Sequence, residues 1–168
     1  VSSLAEHWPA DGRARSLLLI SDGFDIWRGL SETNPALNPD LDEAIAESQK
    51  AGVTVYAIYA NGATDLTRNL TLLNNGQSML TRLASETGGE AYFQGDETPV
   101  AFRPFLTEMR DRLEQQYILT FEAIPGTEEG RLRITTELPH VRIDAPASVW
   151  HNEGKQLTAW PSNQPERK

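Results

Sequence analysis

The 168-residue chain contains no cysteine. That absence excludes disulfides, thiolate zinc sites and a cysteine nucleophile. It leaves the compartment open, because a cysteine-free chain survives in either redox environment. No apolar run approaches the roughly 20 residues that a membrane-spanning helix needs. No signal-peptide pattern stands at Val1. The first residue is not methionine, so the sequence is expected to be a mature or excised piece of something longer. Basic residues are scarce: 15 Lys and Arg against 24 Asp and Glu give a formal net charge of −9. That field repels phosphate backbones, and no Lys/Arg cluster interrupts it, so nucleic acid is not an expected partner. Neither G-x-G-x-x-G nor G-x-x-x-x-G-K-(S/T) occurs, so nucleotide binding is unsupported. No G-x-S-x-G elbow supports a serine hydrolase. There is no internal repeat and no low-complexity block.

What is present is ordinary for a globular domain with a real core, at 39% hydrophobic and 23% charged residues. Residues 1–8 read as a short helix stopped by Pro9. Ser16 to Ser21 is a strand without polar alternation, as expected when both faces are covered. Residues 29–39 form a loop. Residues 40–52 read as a helix with Leu41, Ala44, Ile45 and Ser48 on one face. Asp40, Asp42 and Glu43 suit its positive end, Lys50 suits the other, and Gly52 is a natural stop. Val53 to Ala60 is β-branched and aromatic, hence a second strand. Residues 61–77 are a long connection, and residues 78–89 a helix with Met79, Leu80, Leu83 and Ala84 inward. Glu90 to Phe93 is a short third strand. A last helix carries Phe102, Phe105, Leu106, Met109 and Leu113 on one stripe, with Pro104 in its first turn.

Strands alternating with helices predict a mostly parallel, Rossmann-like α/β sheet with helices on both faces. After Gln116 the texture changes to strand-like segments beginning at Gln116, Gly130 and Val141. The first two are expected to pair as a hairpin across Pro125-Gly126. The expected organisation is an α/β domain over residues 1–116, a β-rich extension over 117–150 and a polar tail over 151–168.

Ligands of open α/β sheets bind outside the carboxyl ends of the strands. Asp22 falls there, followed by Gly23, which lets backbone approach a ligand, and then by Asp25. Asp22 reads equally as a turn residue capping nearby backbone N–H groups. Ser21 is placed to orient the same loop. Other groupings are weaker. Asp40, Asp42 and Glu43 are explained by the helix terminus. His7, His140 and His151 share no metal-ligand spacing. Asn69-Leu70-Thr71 is a chance-frequency sequon, Gly88-Gly89 is a helix stop, and the charges of residues 108–116 are a solvated face.

Four ordered stretches, LLLISDGFD, AIAESQKAGVTVYAIYA, LTRLASETGGEAYF and LTEMRDRLEQQYILTFEA, closely resemble the von Willebrand factor type A fold. Within that family the chain is most similar to the bacterial subgroup labelled VWFA-related. The resemblance covers about residues 4–123 and is expected to extend through the hairpin. It implies a protein-binding module rather than an enzyme, with Mg²⁺ (or Mn²⁺ or Ca²⁺) at a metal-ion-dependent adhesion site on the sheet. Asp22 matches the Asp of that site's (S/T)-D-G turn, and Asp25 is a second candidate ligand. The family's Asp-x-Ser-x-Ser loop is absent from this chain, and the N-terminal strands of the fold with it. The Ser16 strand would then have an apolar open edge, a template for pairing. A protein partner is therefore expected, either an upstream fragment or a second chain that completes the sheet and the metal site. The family's bacterial members also imply an extracytoplasmic location. Two rivals stand beside this reading. One is a metal-dependent hydrolase or phosphatase using Asp22 and Asp25, with Asp96 and Glu97 the only further acids suitably placed. The other is a metal-free scaffold.

Overall fold

A computed structural model describes residues 1–8, 14–23, 38–60, 70–95, 101–119 and 129–150, apart from the side chains of 6 and 70–72. The α/β expectation holds: three parallel strands alternate with helices. Helix α1 (Ser2–Glu6) leads into β1 (Arg15–Ser21), α2 (Pro39–Ala51) and β2 (Val53–Tyr59). Then come α3 (Leu70–Glu86), β3 (Ala91–Tyr92) and α4 (Arg103–Glu114). Strand order is β1-β2-β3. Arg15 to Ser21 pair residue by residue with Val53 to Tyr59, and Ala57 and Ile58 pair with Ala91 and Tyr92.

Helix α2 forms where its sequence signals it. The Asn38 side chain accepts the Leu41 N–H at 3.1 Å, Pro39 occupies the first turn, and Asp40 and Asp42 face the positive end of the dipole. Gly52 closes the helix in the left-handed region at φ 64°. The apolar face Leu41, Ala44, Ile45 and Ser48 is buried, as the spacing predicts. The Ser48 hydroxyl donates to the Ala44 carbonyl at 2.7 Å, so no polar atom there is left unpaired.

The alternation of β2 sorts the core into two layers. Val53 and Val55 meet Leu41, Ala44, Ile45, Met79 and Leu83 of α2 and α3, with Val1 and Trp8 at the margin. Ala57 and Tyr59 continue that layer onto Leu73 and Leu80. On the opposite face Tyr56, Ile58 and Tyr92 receive Phe102, Phe105, Met109 and Leu113 of α4. Tyr92 stacks on Phe105 with centroids 5.6 Å apart. Leu106, expected on the same stripe, is turned outward instead. All residues of β2 except Thr54 are buried, whereas no residue of β1 is fully buried.

The expected hairpin across Pro125-Gly126 falls largely outside the described residues; of its first strand only residues 116–119 are described, and they belong to no strand. In the described part of the extension β4 (Glu129–Arg131) pairs antiparallel with β5 (Ser148–Trp150), joining the second strand-like segment to the third. This ribbon is tied to the α/β unit. Thr87 bridges Pro146, the Ala147 N–H donates to the Glu86 carbonyl at 3.0 Å, and Lys50 lies 4.7 Å over the Trp150 ring.

Four charges close a ring over the start of β3. Arg112 pairs with Glu90 at 3.0 Å and with Asp144 at 2.8 Å. Arg142 pairs with the same two carboxylates at 3.2 and 2.7 Å. Burial works against the Arg112 charge, but the Asp144 hydrogen bond and Glu90 outweigh it and raise its pKa. The tail of residues 151–168 and the Asn69 sequon lie outside the described residues.

Candidate functional site

The carboxyl ends of β1 and β2 form the candidate site. The Ser21 carbonyl accepts the Ala60 N–H at 2.9 Å, which extends the parallel ladder to the last residue of β1. The Ser21 hydroxyl then turns onto Gly23. It accepts the Gly23 N–H at 3.1 Å and donates to the Gly23 carbonyl at 2.9 Å. This local ring fixes the exit from the strand. Asp22 is held between, with its side chain exposed.

Glycine is required on both sides of the contact this turn makes. Gly23 has φ 120°, and a Cβ on it would stand 2.7 Å from the Gly76 Cα. A Cβ on Gly76 would in turn overlap the Asp22 carbonyl oxygen and reach within 3.3 Å of the Tyr59 ring. The backbone of α3 therefore lies directly against the backbone of the Asp22 turn. One residue on, the Gln77 side chain donates to the Gly95 carbonyl at 2.6 Å. Helix α3 thus braces the exits of both β1 and β3.

Tyr59 ends β2 beneath this turn and is buried. Burial pushes its phenol pKa up, and the Asp22 charge adds to the shift. The phenol therefore senses the Asp22 charge across the strand ends.

The sequence placed Asp22 and Ser21 at this edge, and both are there. Asp25, the second candidate ligand, lies outside the described residues, as do Asp96, Glu97 and His151. His7 hydrogen-bonds its own helix through the Ser3 carbonyl at 2.8 Å, and His140 is exposed. Asp42 pairs with Arg82 at 2.6 Å. Gly76, Tyr59 and Gln77 were not singled out from the sequence. A glycine inside an apolar-periodic stretch is the one signal that marked Gly76 as a point of close approach.

A divalent ion does not fit the described donors. Among the described residues no three His, Asp or Glu side chains come together. The Ser21 proton and one of its lone pairs are taken by Gly23. One carboxylate falls well short of the six or so oxygens such an ion requires.

No family model matches the chain, and no curated protein or solved structure matches it.

Proposed function

We propose that this chain is a von Willebrand factor type A-like binding module rather than an enzyme. It engages a protein partner along the outer edge of β1 and at the Asp22 turn that ends it. The observation carrying this reading is the contrast between the two long strands. Strand β2 is buried at six of its seven positions, while β1 has no fully buried residue and none of the described strands pairs with its outer edge. An apolar strand with an unpaired edge is a template for another strand. The Asp22 carboxylate stands at its end on a turn packed against the α3 backbone through Gly23 and Gly76. A cation belongs to this reading only with donors beyond the described residues, Asp25 first among them.

Hydrogen exchange of the monomeric chain tests the open edge. The β1 amides are expected to exchange well before those of β2. Equal protection of both strands would remove the proposed binding edge. Calorimetry with Mn²⁺ on the wild type and on Asp22→Ala decides the cation. Heat that disappears with the substitution would show that further donors complete a site around Asp22.

A further inference from the structure

We infer that Asn75-Gly76, inside α3, is a site of spontaneous deamidation gated by local opening of that helix, and that its conversion to isoaspartate releases the Asp22 turn for good. The inference concerns the turn itself and stands with or without a bound partner.

Asparagine followed by glycine suits this chemistry because glycine has no Cβ to shield its amide nitrogen. Once hydroxide has taken its proton, the Gly76 nitrogen attacks Cγ of Asn75. The N–Cγ bond forms and closes a succinimide ring. The Cγ–Nδ2 bond breaks, and Nδ2 leaves as ammonia with a proton from water, which regenerates the hydroxide. Water then opens the ring at either carbonyl. One product is aspartate. The other is isoaspartate, whose main chain runs through Cβ and Cγ and is longer by one carbon.

The closed helix holds this reaction back. Both residues are helical, so the Gly76 N–H is committed to the carbonyl of residue 72. Gly76 is buried, and Asn75 has a further interaction of its own that opening must release.

The helix is weakest where the pair lies. Asn74, Asn75 and Gly76 are consecutive residues of low helix propensity, and the first turn of α3 has no acidic residue to meet the dipole. Contacts with the strand ends keep this half in place. Leu73 packs with Ala57 and Tyr59, Gly76 lies on the Asp22 carbonyl, and Gln77 reaches the Gly95 carbonyl. The second half is anchored separately by buried Met79, Leu80, Leu83 and Ala84. The first half can therefore open while the second stays seated.

Isoaspartate prevents closure. The Asp22 carbonyl already fills the position of a Cβ on Gly76. One more main-chain carbon just ahead of Gly76 shifts it out of that contact and out of the helical ladder. A reversible opening becomes irreversible.

The test follows Asn75 in the full chain by peptide mapping and an isoaspartate assay, in mildly alkaline buffer with and without urea. Conversion is expected to be at least about tenfold slower in the folded chain, where the open form is a small minority. The ratio of the two rates gives the open fraction. It is expected to exceed the globally unfolded fraction that urea denaturation gives for the same chain. A ratio equal to that fraction, or a ratio of one, would overturn the local gate. Two variants place the opening. Gln77→Met loses the bond to Gly95 at similar helix propensity and should speed conversion about two- to tenfold, the factor expected of one hydrogen bond. Thr87→Val weakens the fold from the far end of α3 and should leave the rate unchanged. Rates that follow global stability in both variants would assign the reaction to complete unfolding. Asn75→Gln should abolish conversion at this position. The isoaspartyl form is then separated by its added negative charge on anion exchange. Its amides over 21–23 and 73–77 should exchange faster than in the parent chain, with the pairing of β2 and β3 still protected. Unchanged exchange over 21–23 would show that the turn is not released.

Discussion

Gly76 and Asp22 touch through their backbones, with the middle of α3 pressed against the carbonyl of the turn that ends β1. The neighbouring atoms are backbone atoms, so no rotamer change can make room. Alanine in a helix interior gains up to about 1 kcal/mol over glycine, while overpacking a fixed contact costs about 1–3 kcal/mol. Gly76→Ala is therefore expected to be net destabilising. Urea denaturation measures it, and a stabilised variant would show that the two backbones can separate freely.

Asp22 adds to the upward shift of the Tyr59 phenol through its negative charge. Removing that charge makes the phenolate easier to form. Asp22→Asn is expected to lower the Tyr59 pKa, seen as an earlier tyrosinate absorbance step in an alkaline titration. An unchanged step would mean that the carboxylate does not face the strand ends.

Thr87 is a buried polar junction. Its hydroxyl accepts the Val55 N–H at 3.0 Å and donates to the Leu83 or Ala84 carbonyl at 2.8 and 3.0 Å. Thr87→Val keeps the shape but leaves the Val55 N–H unpaired in the core. The expected loss is about 1–3 kcal/mol, with Thr87→Ser retaining most of the stability. Thermal melts of the pair distinguish the hydroxyl from the methyl.

The Tyr92 phenol is buried without a hydrogen-bond partner among the described residues, and its pKa is pushed up to about 12. Burial is the main cause. Arg112 pulls the other way, and Glu108, Tyr56 and Glu90 push further up. The folded state thus favours the neutral phenol. Its contribution is complete below the ordinary value of 10 and is lost as the pH rises toward about 12. Tyr92→Phe should leave stability at neutral pH unchanged or improved and flatten the alkaline limb of the stability curve. An unaltered limb would assign the alkaline loss to other groups.

Arg112 and Asp144 join α4 to the C-terminal segment across a half-exposed ring of charges. Exposed pairs contribute about 0.2–1 kcal/mol and are screened by salt. A double-mutant cycle on Arg112→Met and Asp144→Asn is expected to give a coupling in that range at low salt and a smaller one at high salt. A coupling that ignores salt would point to packing rather than charge.

Much of this architecture was legible in the sequence because its signals are local. The α2 face, its Asn38-Pro39 start and its Gly52 stop all lie within one stretch of chain and agree with one another. The start of α3 was not legible. Residues 61–77 read as a long connection, yet the helix begins at Leu70 and runs straight through Asn74-Asn75-Gly76. The glycine is needed there by a backbone more than fifty positions earlier in the chain, a partner that no local pattern identifies. The same limit applies to the candidate site, where Asp22 announced itself at a strand end and Tyr59 and Gly76 did not. In the extension, strand propensity is spread over three segments, and propensity alone does not say that the second pairs with the third.

The ring over β3 also has a history within each molecule. Arg112 and Asp144 are separated by 32 positions. At synthesis rates of about 5–20 residues per second, Arg112 emerges on the order of two to six seconds before its partner. For that interval Glu90 and Arg112 are without Arg142 and Asp144. Until then α4 is seated chiefly by the apolar stripe Phe102, Phe105, Met109 and Leu113, so this stripe is the part of the fold on which the nascent protein depends.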